Sequence, residues 1–107
     1  MMPYIIKETI SAQSIRQVLQ TTVTINHENP VIEIPAGTYV LSVVVTANQD
    51  EVLQVSDVAM GDTDIEADFP AFAGQPATIT INKLYPNGGT IYFDGYNDTL
   101  QATLMML

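Results

Sequence analysis

The sequence predicts an all-β fold, an antiparallel β-sandwich of seven to eight strands with a jelly-roll-like arrangement. Three observations lead to this prediction. Short runs of β-branched and aromatic residues recur along the chain, turn signals rich in Pro, Gly and Asn separate them, and no segment is clearly helical. With 107 residues, the chain is long enough for one domain (1–107) with a single core.

The stretch Val31–Thr46 organises the predicted sheet. The β-branched run Thr38–Ala47 is typical of a strand at the centre of a sheet, with one face in the core. Strict alternation gives this strand a wholly apolar face made of Tyr39, Leu41, Val43 and Val45. The preceding turn signal, Pro35-Ala36-Gly37, predicts that Val31–Ile34 and Thr38–Ala47 are joined as a hairpin or by a sharp bend.

The N-terminal part is less clear. Tyr4–Ile6 is short and apolar and fits an edge strand. Ser14–Ile25 fits either a helix with an apolar stripe or a strand with period-two alternation. The run TTVTI at its end favours a strand, and we interpret the whole segment as one. Residues 26–30 form a polar turn.

Four further strands are predicted in the second half: Val52–Val55, Ala77–Asn82, Thr90–Asp94 and Thr99–Leu107. In the last of these, one face carries Leu100, Ala102, Leu104 and Met106. Ser56–Pro76 shows no clear period apart from a short strand around Ile65–Phe69. A long irregular segment in a small domain is typical of a functional loop or of one that packs against a partner.

Composition excludes several classes of partner. Three basic residues face twelve acidic ones, for a formal charge of −9. Binding to a phosphate backbone or an anionic membrane requires clustered Lys and Arg, so neither nucleic acid nor a membrane is an expected partner. With no cysteine, disulfides and thiolate sites are excluded. MMPYIIKETI does not fit a signal peptide and no apolar run reaches about 20 residues, so we expect a soluble product made in the cytoplasm.

An acidic run is the one candidate metal site, and Ca²⁺ is the cation that its oxygen ligands would suit. Its members occupy alternate positions: Asp62, Asp64, Glu66 and Asp68. The order DTDIEAD does not match an EF-hand loop, and alternate carboxylates on an extended chain lie about 6–7 Å apart. We therefore favour a solvated acidic surface over a cation site, and expect no cofactor.

Catalytic motifs are absent from the sequence. His27, the one histidine, lies in a polar turn beside Glu28, and no G-x-S-x-G elbow or phosphate-binding glycine loop occurs. We predict that the protein is not an enzyme. Tyr85 and Tyr96, beside turns, offer a sugar-stacking platform for a calcium-dependent carbohydrate-binding module. The favoured alternative is that these rings cover the ends of the core or an interface.

The chain ends on apolar residues, and a solvated terminus of that kind is costly. We expect the last strand to be paired in the sheet or buried against another subunit. The predicted interface residues are Leu104, Met105, Met106, Leu107, Phe69 and Phe72.

Ile34-Pro35-Ala36-Gly37-Thr38-Tyr39-Val40, followed by a Val/Thr strand, resembles small all-β virion proteins of tailed bacteriophages. Met60-Gly61-Asp62 and the strand entry Gly89-Thr90-Ile91-Tyr92 add to the resemblance, which covers about Val31 to Asp94. It implies a structural component of the virion, such as a capsid decoration (cement) protein, a head fibre or a tail component. The implied partners are the major capsid protein, or another virion protein, and further copies of this chain, with a trimer as the first expectation.

Overall fold

The computed structural model describes residues 18–58 and 64–107, and of Asp64 it describes the backbone alone. The described residues form eight strands and no helix, in two four-stranded antiparallel sheets packed as a sandwich, which confirms the predicted all-β antiparallel sandwich. The strands are β1 (Leu19–Ile25), β2 (Val31–Ile34), β3 (Thr38–Ala47), β4 (Glu51–Ser56), β5 (Asp64–Ala71), β6 (Ala77–Tyr85), β7 (Gly89–Asp94) and β8 (Leu100–Met106). No helix in the described ranges is long and apolar enough to cross a membrane.

The strand order is nested. The first sheet has the order β1-β8-β3-β6 and the second has β2-β7-β4-β5. The first strand thus pairs with the last, the second with the second-last, and so on inward to β4 with β5. Two more pairings, β3 with β8 and β4 with β7, complete the sheets. Every connection except β4–β5 passes from one sheet to the other.

The turn 35–37 is a bend between the sheets and not a hairpin, because β2 belongs to the second sheet and β3 to the first. Gly37 has a φ of 79°, a conformation that glycine adopts without steric cost. Its N–H donates to the carbonyl of Tyr85 at 2.9 Å. The bend joins β2 to β3, the two strands that carry most of the resemblance to virion proteins.

The core lies between the sheets and takes side chains from all eight strands. As predicted, Ile79 is fully buried, and so are Leu100, Ala102 and Leu104, with Met106 packed against the core. β3 and β8 are inner strands of the first sheet. The C-terminal strand is therefore paired on both sides within the domain.

The predicted faces of β3 are wrong at its start. Tyr39 and Leu41 were expected in the core, but Thr38 and Val40 are buried there instead. Against β8 the register shifts between Val40 and Ser42, with Leu41 as the extra residue of a β-bulge. An extra residue reverses the alternation on one side of it. Val43 and Val45, beyond the bulge, are buried as predicted.

Much of the segment predicted as an irregular loop is an edge strand. β5 is longer than the short strand expected around Ile65–Phe69 and pairs with β4, with Leu53 opposite Phe69. Its pairing shifts register twice, and Asp68 has a φ of 54°. These irregularities remove the period-two pattern by which the sequence would have revealed the strand.

β1 confirms the strand interpretation for Leu19–Ile25, where Ile25 is buried and Val23 packs against the core. Tyr4–Ile6, the start of the segment Ser14–Ile25, and the Met60-Gly61-Asp62 phrase lie outside the described residues.

Candidate functional site

The outer face of the first sheet carries three cross-strand rows of side chains. From the register, the rows are Gln20, Met105, Ser42 and Thr80; Thr22, Thr103, Val44 and Thr78; and Thr24, Gln101 and Thr46. None of these side chains is charged. We call this set, together with Tyr39, Leu41, Leu84 and Leu107 at one end, the uncharged face.

One end of the uncharged face is apolar. Tyr39 lies opposite Leu84, whose side chain is 52% exposed. The N–H of Leu107 donates to the carbonyl of Tyr39 at 2.9 Å, which places the end of the chain beside this pair. Leu41, at the bulge, and Met105 continue the same apolar patch, and both are half-buried.

The polar groups at the other end bind one another. The hydroxyls of Thr22 and Thr103 lie 2.9 Å apart. Gln101 donates to the hydroxyl of Thr24 at 3.2 Å and accepts from it at 3.3 Å. Polar groups that already bind each other lose fewer hydrogen bonds when a partner displaces water. Covering this end therefore carries a small desolvation penalty for a surface made of Thr and Gln.

The outer face of the second sheet is different in charge. We call it the acidic face; it includes Glu33, Gln54, Asp68, Thr90 and Asp94. Thr90 donates to Glu33 at 3.2 Å, and Gln54 donates to Asp68 at 3.3 Å. Its carboxylates are exposed apart from these contacts.

Four loops meet at one end of the sandwich, and we call this surface the linked loop end. They are residues 26–30, 48–50, 72–76 and 95–99. Glu51, a buried carboxylate beside the second of these loops, holds the last one. It accepts from the backbone N–H of Asn97 at 3.1 and 3.0 Å, from the Asn97 side chain at 3.3 Å, and from the N–H of Asp98 at 3.2 Å.

Further hydrogen bonds connect the remaining loops. Asp50 accepts from the N–H of Ala73 at 2.9 Å, which fixes the 72–76 loop. Asn48 donates to Asp98 at 3.0 Å, and this bond, followed by a backbone hydrogen bond from Thr99, holds the pKa of Asp98 below its usual value. The loops 72–76 and 95–99 are therefore both hydrogen-bonded to the loop 48–50 or to Glu51 beside it.

An aromatic pair fastens the 26–30 loop. His27 stacks on Tyr96 with ring centroids 5.0 Å apart and an interplanar angle of 20°. The Tyr96 hydroxyl donates to the carbonyl of Asn26 at 2.8 Å. Burial, and secondly the charge of Asp94, raises the pKa of Tyr96. At the rim of the same end, Phe72 is 58% exposed.

A charged cluster at the opposite end joins the sheets. Asp57, just after β4, accepts from Lys83 at 2.7 Å and from the Tyr85 hydroxyl at 2.9 Å, both on β6. Burial raises the pKa of Asp57, but the hydrogen bonds from Lys83 and Tyr85 and the charge of Lys83 together outweigh it and bring that pKa below its usual value. Burial, and then the bond to Asp57, raises the pKa of Tyr85.

The structure does not assemble the predicted metal site in the residues it describes. Asp62 lies outside them, as does the side chain of Asp64. Glu66 is half-buried, and Asp68 is exposed and bonded to Gln54. The described residues contain no group of three or more acidic, His or Cys side chains placed to hold a metal ion.

The sugar-stacking platform is wrong for both tyrosines. Tyr85 and Tyr96 are each only 6% exposed, and their hydroxyls are engaged. His27 covers the ring of Tyr96, and Lys83 lies 5.1 Å from the ring centroid of Tyr85. The two residues also lie at opposite ends of the sandwich. They cover the ends of the core, as the favoured interpretation held.

The six predicted interface residues fall in three places. Leu104 is 1% exposed in the core, and Met106 and Phe69 pack against it, so these side chains stabilise the domain itself. Met105 and Leu107 lie on the uncharged face. Phe72 stands alone at the linked loop end. The prediction that they form one interface stays untested, but the fold does not bring them together.

The uncharged face and Glu51 were missed at the level of sequence. The first had a signal: β1, β3, β6 and β8 contain one charged residue between them, Lys83, in a chain of net charge −9. The second had none, because its partners are 46 and 47 residues away in the chain.

Comparison of the chain with protein-family models, curated proteins and solved structures gives no match.

Proposed function

We propose that this chain is a non-enzymatic structural protein of a bacteriophage virion, a decoration protein that docks on the capsid. The observation that carries the proposal is the nested strand order. Pairing of the first strand with the last, inward to β4 with β5, supports a jelly-roll arrangement of the two sheets. Jelly rolls occur in viral capsid proteins and also in lectins and cupins, so this support is an analogy of fold.

The resemblance to small virion proteins adds a second line of support. Its main phrase, Ile34 to Val40, forms the bend between the two sheets and the start of β3. In this fold that bend leads into an inner strand, as it does in the proteins that the phrase resembles. The tail or head-fibre assignment shares these features and is the alternative within the same class.

We place capsid docking at the linked loop end. Its loops are held by the buried Glu51 and by Asp50, so little conformational entropy is lost when a partner binds. Phe72 offers an exposed aromatic side chain on a fixed loop, and aromatic residues are enriched at interfaces. The loop end thus combines rigidity with one apolar anchor.

Two measurements test the proposal. Particles banded in a density gradient from an infected or induced culture of the source should contain peptides of this chain in a fixed ratio to capsid protein. Intact particles that lack the chain would contradict the proposal.

Docking is then measured by co-sedimentation of the purified chain with those particles stripped of it. Phe72→Ala should weaken binding by at least about 10-fold, in the range of an interface anchor. Val52→Ala, which removes a side chain of similar exposure (53%) from β4, is the matched control and should bind like the wild type. Equal loss in both variants would remove the loop end from the proposal.

A further inference from the structure

We infer that the uncharged face is a self-association surface, covered in solution by the same face of a second copy of this chain. The inference concerns the isolated protein and does not depend on the virion assignment. It rests on the distribution of charge, the area of the face and the state of its polar groups.

Charge selects a second copy as the occupant. The chain carries a formal charge of −9, so two copies repel each other over most of their surface. The acidic face would bring exposed carboxylates such as Glu33 and Asp94 against their equivalents. The uncharged face brings none, and like-charge contacts are the main electrostatic penalty in such a pairing. A basic partner would instead be drawn to the acidic face.

Area allows a specific contact. The face spans four strands, and Tyr39 to Thr46 of β3 give its length, so it measures roughly 500 Å² per copy from standard strand spacings. A pair would therefore bury about 1,000 Å² in total, at the lower end of specific protein–protein interfaces. A pairing of this size is weak enough to exchange and is measurable at micromolar concentration.

The composition of the face fits a dry contact between two sheets. Leu84, Tyr39, Met105 and Leu107 supply an apolar end, which a two-fold axis parallel to the strands places against the same end of the second copy. At the polar end, the Thr22–Thr103 and Thr24–Gln101 bonds leave few groups unpaired when water is displaced. Stacked sheets pack about 10 Å apart, a distance that side chains of Thr, Val and Met fill.

The test compares two matched substitutions by sedimentation velocity across a range of protein concentrations. Thr103→Lys places a charge on an inner strand of the uncharged face. Thr90→Lys makes the same change on the acidic face, at a threonine that is also half-buried and also on the second strand from the edge. Both variants have the same net charge. Far-UV circular dichroism checks that each is folded.

We expect a reversible dimer for the wild type and for Thr90→Lys, and an increase of at least about 100-fold in Kd for Thr103→Lys, because the ammonium would be buried without a partner. If Thr103→Lys does not fold, Thr78→Lys on the exposed edge strand β6 takes its place. A wild type that stays monomeric, or a dimer that both lysines affect equally, overturns the inference. A trimer overturns the two-fold arrangement.

Salt gives an independent signature. Because the paired faces hold no ions and the rest of each copy is acidic, added NaCl should screen repulsion and lower the Kd several-fold between about 0.02 and 0.5 M. An interface built from ion pairs would weaken over the same range. Weakening with salt therefore contradicts the assignment to the uncharged face. Loss of capsid docking alone would leave it intact.

Discussion

The two outer faces of the sandwich differ in charge although both belong to antiparallel four-stranded sheets. The strands of the first sheet contain Lys83 as their one charged residue, and its ammonium reaches Asp57 instead of the outer face. The strands of the second sheet carry acids on their outer face, among them Glu33 and Asp94. The charged side chains that keep the protein hydrated therefore lie mainly on the second sheet, and the outer face of the first sheet can be covered without burying a charge.

We expect the largest change in stability from Glu51, a buried acid of the second sheet, and almost none from Glu33, an exposed acid of the same sheet. Glu51→Ala should lower the free energy of unfolding by about 3 kcal/mol, because it removes the buried carboxylate that accepts from the N–H groups of Asn97 and Asp98. Glu33→Ala, on the acidic face, should change it by less than about 0.5 kcal/mol. Urea unfolding of the two variants measures both values. Similar losses would mean that the acidic face is structural too.

The next effect concerns the cluster that joins the sheets. Asp57→Asn should lower the free energy of unfolding by about 1–2 kcal/mol at pH 7, because it removes the charge-assisted contact with Lys83. Solvent screening keeps the loss this small, since Lys83 is exposed. Because the pKa of Asp57 is lower when folded, its carboxylate stabilises the protein above the unfolded-state pKa near 3.8. That contribution is lost as the pH falls through the folded-state pKa. Wild type and Asp57→Asn should therefore converge in stability below about pH 4, and parallel curves would contradict the assignment.

A smaller effect tests whether the acidic face repels itself. The triple variant Glu33→Gln, Asp68→Asn, Asp94→Asn keeps the hydrogen-bond acceptors but removes three charges. At low salt its free energy of unfolding should rise by about 0.5–1 kcal/mol, and this gain should fall as salt is added. Thermal unfolding at two ionic strengths measures it. A destabilised variant at both would show that these acids make favourable contacts.

The smallest effect examines the polar end of the uncharged face. Thr22→Val or Thr103→Val alone should cost about 0.5 kcal/mol, since each leaves one hydroxyl without its partner, and the double variant should cost less than the sum. In the same double variant, self-association should tighten, because the paired face becomes more apolar. Additive losses with unchanged association would show that the Thr22–Thr103 bond is incidental.

The sequence was sufficient for the strand pattern where alternation is unbroken. Ile79 of β6 and the alternate apolar residues of β8 were assigned to the core correctly, because the apolar side chains of each strand lie on one face. It failed at Leu41 because alternation alone does not reveal a bulge, which here puts Thr38 and Val40 in the core in place of Tyr39 and Leu41. It also failed for β5, where two register shifts interrupt the period.

The candidate surfaces were only partly accessible from sequence. The lack of charge in β1, β3 and β8 is visible in the residues, but the strand order is what places those strands side by side. The links of the loop end, such as Asp50 to Ala73 and Tyr96 to Asn26, join residues far apart in the chain. Only the three-dimensional structure shows such contacts.

The most direct test of the difference between the two faces uses single cysteines, since the chain has none of its own. Thr103→Cys and Thr90→Cys each place one thiol on one face, and its rate of reaction with a maleimide is measured as the protein concentration rises. We expect the thiol at Thr103 to become protected with increasing concentration while the thiol at Thr90 reacts at a constant rate. Equal rates at every concentration would show that neither face is covered by a second copy, and would contradict the account.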